Sequence, residues 1–244
     1  MTPEFHQSTR EVARTYDLVY EWQNTHGPIM GTDVDPDYNI NTKETLAQGC
    51  LGAPAGRPFL EVGTGNGNFG PFMEKYHPDR VWFGLDFSIV GLIAAKNHFR
   101  QIRPVNGEML NFPFEDEQIG AVIFADALEH SNDIPTTLAE AYRVLTPGGI
   151  LVASVPTPDS LNKWKRNALR QTKFTLIFRA MLAAARRIRL FGRVDIQPED
   201  HHLSEKEWVK YFADAGFKVE PPTQWPTENG LTPVVQLFRA YKGD

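Results

Sequence analysis

Two rhythms of apolar and polar positions alternate along this 244-residue chain. Short runs rich in β-branched and aromatic residues, PFLEV (58–62), VWFGL (81–85), GAVIFA (120–125) and ILVASV (150–155), read as strands. Between them lie stretches whose apolar positions recur every three or four residues, the spacing of a helix with one buried face. Ser88 caps one such helix, which runs through about Phe99; in TLAEAYRVL the residues Leu138, Ala141, Tyr142 and Leu145 share a face. A weaker third strand falls near 102–106, and the turn PGG (147–149) introduces the fifth. Strand and helix in alternation predict a parallel sheet with crossover helices.

Beyond the fifth strand the clearest element is a helix starting after Ser204, where Ser204 and Glu207 form a capping box and Leu203 can staple onto Trp208. Gly216 stops it. The strands FKVE (217–220) and VVQLFRAY (234–241) follow, joined by the proline-rich PPTQWPTENGLTP and no helix, so the last strand should run antiparallel to its neighbours. The expectation is an α/β fold: a seven-stranded, mostly parallel sheet with helices on both faces and an antiparallel last strand.

Composition narrows this little, with 41% hydrophobic and 23% charged residues, values of an ordinary globular domain. One domain is the expectation for this length. The single cysteine, Cys50, excludes an intramolecular disulfide and a cysteine-based zinc cluster and fits a reducing cytoplasm. The start MTPEFHQSTREVAR lacks the layout of a signal peptide, and no apolar run approaches the length of a membrane span. Charge is more informative. The net charge is -5, yet between Asp159 and Asp195 there are ten bases and no acid, which leaves -15 on the rest. An acidic body with one basic segment calls for a functional reason.

Candidate chemistry begins at EVGTGNGNFG (61–70), which fits ExGxGxG from Glu61 and GxGxxG from Gly65. Glycines between a strand and a helix permit positive φ and a close approach to an anion. Asp86, at the end of the next strand, can accept both hydroxyls of a ribose. Loop and Asp86 together indicate an adenosine-containing cofactor, and a dinucleotide or a sulfonium nucleoside would satisfy both.

Further along, GEMLNFPFEDEQIGAVIFADALEHSND and AYRVLTPGGILVASVP closely resemble class I S-adenosylmethionine (SAM) dependent methyltransferases, above all the branch containing ubiquinone and menaquinone methyltransferases. The resemblance covers residues 58–156, with weaker likeness in HHLSEKEWVKYFADAGF. It implies a Rossmann-like core (58–156) flanked by an N-terminal cap (1–57), a basic helical lid (157–197) and a C-terminal helix with a strand pair (198–244). It places Glu61 near the methionine amino group, and Gly63, Thr64, Gly65 and Gly67 around the amino-acid end of SAM. Asp86 would take the ribose hydroxyls, Phe87 the adenine face, Glu108 the adenine amine and Met109 a ring nitrogen, with Ala125 completing the set. Two residues depart from the family pattern: Glu108 stands where Asp is usual, and Gly120 where an Asp commonly starts the fourth strand.

A sulfonium is an activated methyl donor, so the protein need only align a nucleophile and, for a hydroxyl, help remove its proton. Candidate bases are His130 and its neighbour Glu129, and His201 or His202; Tyr16, Tyr20 and Asp126 could line the acceptor pocket. No metal is assigned, since Asp126, Glu129 and His130 within one short loop read more readily as hydrogen-bonded structure. The implied reaction moves a methyl from SAM to an O, C or N atom of a small acceptor, lipid-linked or anionic, and leaves S-adenosylhomocysteine. A non-catalytic SAM-binding or interaction protein is the alternative. The basic segment 163–193 reads as an amphipathic lid able to lean on an anionic membrane from the cytoplasmic side, or as a solvated lid face; nucleic acid is disfavoured by the surrounding negative charge. Oligomeric state is not legible.

Overall fold

The computed structural model describes residues 13–14, 16–18, 20–21, 36–158, 201–224 and 235–243. The core alternates as expected: β1 (Phe59–Val62), α2 (Gly70–Tyr76), β2 (Trp82–Asp86), α3 (Ile89–His98), β3 (Ile102–Asn106), β4 (Ile119–Ala125), α4 (Ile134–Val144) and β5 (Leu145–Pro156). Ahead of it lies α1 (Pro36–Gly49), and after it come α5 (Glu205–Asp214), β6 (Lys218–Val219), β7 (Thr223–Gln224) and β8 (Val235–Tyr241). The segment 159–200, which carries the basic stretch, lies outside the described residues, so the lid reading does too.

Strand order is β3-β2-β1-β4-β5-β8-β6, with the two-residue β7 also paired to β8. The first five strands are mutually parallel and β8 runs antiparallel to β5, as the chain's helix-free final connection requires. Seven strands therefore form the path, and β7 is an addition the sequence did not announce. Strand β1 goes to β2 on one side, whereas β4 lies on its other side. The order thus reverses between β1 and β4, the place where an open parallel sheet leaves a crevice at its carboxyl ends.

Side chains from alternate positions fill two cores, one on each face. Leu60, Val62, Val122, Phe124, Leu151 and Ala153 pack with Leu138, Ala141 and Val144 of α4 and with Trp208 and Phe212 of α5. Phe59, Ala121, Ile123 and Val152 pack with Leu46 and Ala47 of α1, Met73 of α2 and Ala95 of α3. Leu203 joins the same cluster as Trp208, and both halves of the Ser204–Glu207 capping box are present. Ser88 caps α3 by accepting from the Gly91 N–H.

Two boundaries differ from expectation. PGG is not a turn ahead of the fifth strand: β5 begins at Leu145, because the Gly148 N–H and Gly149 carbonyl both pair with the backbone of Lys242 and keep this stretch in the sheet. Gly120 lies inside β4, its N–H bonded to the Pro58 carbonyl; a Cβ there would come within 2.8 Å of the Arg57 Cβ. A side chain at this position would need Arg57 to shift.

Candidate cofactor and acceptor site

At the end of β1 the chain turns through Gly63, Gly65 and Gly67, with φ of 75°, 52° and 84°, the left-handed region that glycine enters at little cost. Neighbours also press close. A Cβ on Gly63 would stand 2.7 Å from the Ala127 Cβ, and one on Gly65 2.5 Å from the Tyr20 hydroxyl oxygen. Hydrogen bonds from the Gly63 and Thr64 N–H groups to the Leu85 carbonyl tie the loop to β2. Those of Gly67 and Gly70 are spent within the loop itself.

Two buried carboxylates bracket these glycines. Glu61 faces inward from β1 and accepts from the Thr64 hydroxyl at 2.6 Å. Burial pushes its carboxyl up to about 8, against the pull of the Thr64 hydrogen bond and the charge of Lys43. Asp86 accepts from Gly65 N–H on one oxygen and Ser88 N–H on the other, each at 2.8 Å. Burial raises it to about 6, since it outweighs those two donors. Two carboxylate oxygens offer about four acceptor directions, so Asp86 keeps capacity for a bound ligand.

Residues beyond β2 and β3 close the adjoining side. Phe87 meets the Tyr16 ring edge-on at 5.2 Å, and the Asn106 side-chain amide donates to the carbonyls of Asp86 and Phe87. Glu108 and Met109 are half-buried in the turn just past β3, where Glu108 pairs with Asn111. Asn106 escaped sequence reading, its one signal being an amide at the carboxyl end of a strand. The helical residues of the N-terminal segment dock here: Asp17 accepts from the Ser88 hydroxyl at 2.5 Å, and the Tyr20 ring packs on Gly65 and Gly91. Burial, then the charge of Asp86, hold the Tyr20 phenol well above its ordinary value. Tyr16 at Phe87 and Tyr20 at Gly65 thus both touch the cofactor side.

Across the crevice, Ala125 ends β4 and Asp126 follows with φ +55°, a left-handed conformation uncommon for a residue with a side chain. Leu128–His130 then form a single 3-10 turn. The structure brings the two groups of histidines together here. His201 N–H donates to the Glu129 carbonyl, and His201 Nε2 lies 3.0 Å from the Ser131 carbonyl oxygen. A carbonyl only accepts, so Nε2 carries the hydrogen and Nδ1 is the basic nitrogen of the neutral ring. Glu129 is buried, and His130, His201 and His202 are each partly exposed.

These observations fit the cofactor implied by the motifs: a glycine cradle without room for side chains, a buried carboxylate suited to an ammonium, and a second with spare acceptor capacity. A methyltransferase domain model matches residues 60–153. Demethylmenaquinone methyltransferase from Renibacterium salmoninarum is 31% identical over 233 residues, which are 87% of this chain and 90% of that protein. The chain belongs to the SAM-dependent methyltransferases. Another relative of this chain, the malonyl-[acyl-carrier protein] O-methyltransferase 1 of Coxiella burnetii, is 33% identical over 104 residues, 43% of this chain and 35% of that protein. Against several such relatives this chain spans between 35% and 61% of their length. The [4+2]-cyclase SpnF shares the fold at a TM-score of 0.68 and 15% identity, over 96% of this chain and 97% of that one. Among the described residues no helix is long and apolar enough to cross a membrane.

In this chain Glu61, the glycines, Asp86, Phe87, Glu108 and Met109 would hold SAM, which supplies an electrophilic methyl when bound. The chain's own hydrogen bonds fix the loop, with the Gly63 and Thr64 N–H groups on Leu85 and the Gly65 N–H on Asp86.

Proposed function

We propose that the chain transfers a methyl group from SAM to a small, uncharged acceptor of the hydroquinone type, leaving S-adenosylhomocysteine. The observation that carries this reading is the pair of buried carboxylates, Glu61 and Asp86, around a glycine turn at the switch point of the sheet. The acceptor class draws on two supports. One is the demethylmenaquinone methyltransferase relative, matched over nine tenths of its length. The other is charge: Asp86 and Asp126 lie along the crevice among the described residues, carboxylates that disfavour an anionic acceptor such as a malonyl thioester.

Roles for the remaining residues follow from their placement. His201, its ring held by the Ser131 carbonyl, is the preferred proton acceptor, with His130 and His202 as neighbours. Tyr16 and Tyr20 close the cofactor side. The basic residues 163–193 suit contact with an anionic membrane surface, from which a lipid-linked quinol could be drawn. Cytoplasmic placement, peripheral to the inner membrane face, accords with this.

Transfer of labelled methyl from SAM to a reduced demethylated naphthoquinone, with a malonyl thioester in parallel, tests the proposal. Label in the quinol product is the expected result. Methylation of the thioester alone overturns the acceptor class. Binding of SAM and S-adenosylhomocysteine without transfer to either acceptor would favour a non-catalytic SAM-binding protein.

A further inference from the structure

Ser154, a residue no motif singles out, is bonded twice to Asp126. Its hydroxyl donates to Asp126 Oδ1 at 2.7 Å, and its oxygen accepts the Asp126 N–H at 2.8 Å. Ser154 is fully buried in β5, directly opposite Ala125 of β4 in the register, so the contact joins the carboxyl ends of neighbouring strands. Asp126 itself is partly exposed and held at φ +55°. Strained backbone of this kind persists where surrounding contacts over-determine it. Here the determinants are identifiable: Ser154 fixes the carboxylate and the amide, and Ala127, the next residue, abuts Gly63 of the cofactor loop. Asp126 is therefore pinned at the rim of the crevice, one residue from the loop that would hold the methyl donor.

We propose that Asp126 is the acceptor-binding carboxylate and Ser154 its positioning residue, and that together they select acceptors carrying a hydroxyl next to, or at, the methylated atom. The proposal rests on the methyltransferase reading and deepens it. A carboxylate oxygen bonded to Ser154 has a fixed direction, which leaves Oδ2 as an acceptor for a proton-bearing group on the ligand. A phenolic or enolic hydroxyl meets that need, whereas an ether or ketone at the same place presents a lone pair to a lone pair. In a hydroquinone the same hydrogen bond would orient the ring and enrich the adjacent carbon in electron density.

The test compares 1-naphthol with 1-methoxynaphthalene, titrated calorimetrically into the chain loaded with S-adenosylhomocysteine. The wild type is expected to favour the naphthol by about tenfold, the range of a hydrogen bond to a charged group. Asp126→Asn keeps a residue type that tolerates positive φ, and Ser154→Ala removes only a hydroxyl. Both should bring the preference to within about twofold while S-adenosylhomocysteine affinity holds; Ser154→Ala also lowers the thermal midpoint, because it leaves the Asp126 N–H without its acceptor. Equal binding of the two probes by the wild type, or an undiminished preference in Asp126→Asn, overturns the proposal; so does parallel loss of S-adenosylhomocysteine binding, which would make the pair part of the cofactor site. A failure of the methyltransferase reading looks different, since the naphthol preference would persist without any labelled transfer.

Discussion

The Gly65 N–H donates to Asp86 Oδ2 at 2.8 Å, so the cofactor loop and the carboxyl end of the neighbouring strand form one hydrogen-bonded unit. Asp86 is at once the expected ribose partner and the clasp that shapes the loop. Asp86→Asn keeps the size but replaces one accepting oxygen with an amide NH2, which donates and cannot accept a hydrogen bond from a backbone N–H. S-adenosylhomocysteine affinity is expected to fall by one to two orders of magnitude, roughly the loss of one hydrogen bond to a charged group. Calorimetric titration checks this, and an affinity within twofold of wild type would remove Asp86 from the site.

Gly65→Ala tests the close approach on the other side of the loop. The added methyl would meet the Tyr20 hydroxyl, and φ +52° adds about 1–2 kcal/mol of backbone strain for an L-residue. Tyr20 must then move off the loop. Thermal unfolding should show a stability loss of at least about 1 kcal/mol, and a tyrosine fluorescence change should accompany it. Gly65→Ala combined with Tyr20→Ala should recover only the clash, leaving the strain.

Much of the fold was legible in the sequence because the signals are local. Val122, Ile123, Leu151 and Val152 mark strands buried on both faces, and Ser204 with Glu207 marks a helix start by itself. The helix α1 was not legible: PDYNINTKETLAQG opens on turn-forming residues and has few apolar positions. What holds it is distant, with Leu46 and Ala47 packed on the sheet and the Arg239 guanidinium of β8 donating to the Gly49 and Leu51 carbonyls. The site divides in the same way. Glycines and Asp86 announce themselves by spacing, whereas the Asp126–Ser154 pair depends on a backbone angle and on a register between two strands 28 residues apart.

Arg143 anchors the segment 112–116, which directly follows the turn that carries Glu108 and Met109. Its guanidinium donates to Glu140, Asp116 and the carbonyls of Phe112 and Phe114, while Glu140 in turn accepts the Phe112 N–H. Lysine retains the charge but cannot reproduce this fork. Arg143→Lys should cost about 1–3 kcal/mol of stability and weaken S-adenosylhomocysteine more than a ligand lacking the adenine base. Chemical denaturation and paired titrations with S-adenosylhomocysteine and homocysteine measure the two effects.

Glu61 makes cofactor binding depend on pH, with a sign that follows from its burial. The ordinary value for the group is 4.5 and the folded one about 8, so between these limits the native chain keeps a proton that the unfolded chain has released. Asp86 behaves alike between 3.8 and about 6. Their contribution to stability is therefore fully present below these ordinary values and is lost as pH rises through the folded ones, about 6 for Asp86 and about 8 for Glu61. An ammonium beside Glu61 favours its charged form and pulls its value down. Binding of S-adenosylhomocysteine at pH 7 should thus release a proton, and the thermal stabilisation it confers should grow from pH 6 to pH 8.5. Calorimetry at pH 7 in two buffers of different ionisation enthalpy reads that proton directly. Glu61→Gln should abolish both the release and the growth; identical binding heats in the two buffers for the wild type would place the ammonium elsewhere.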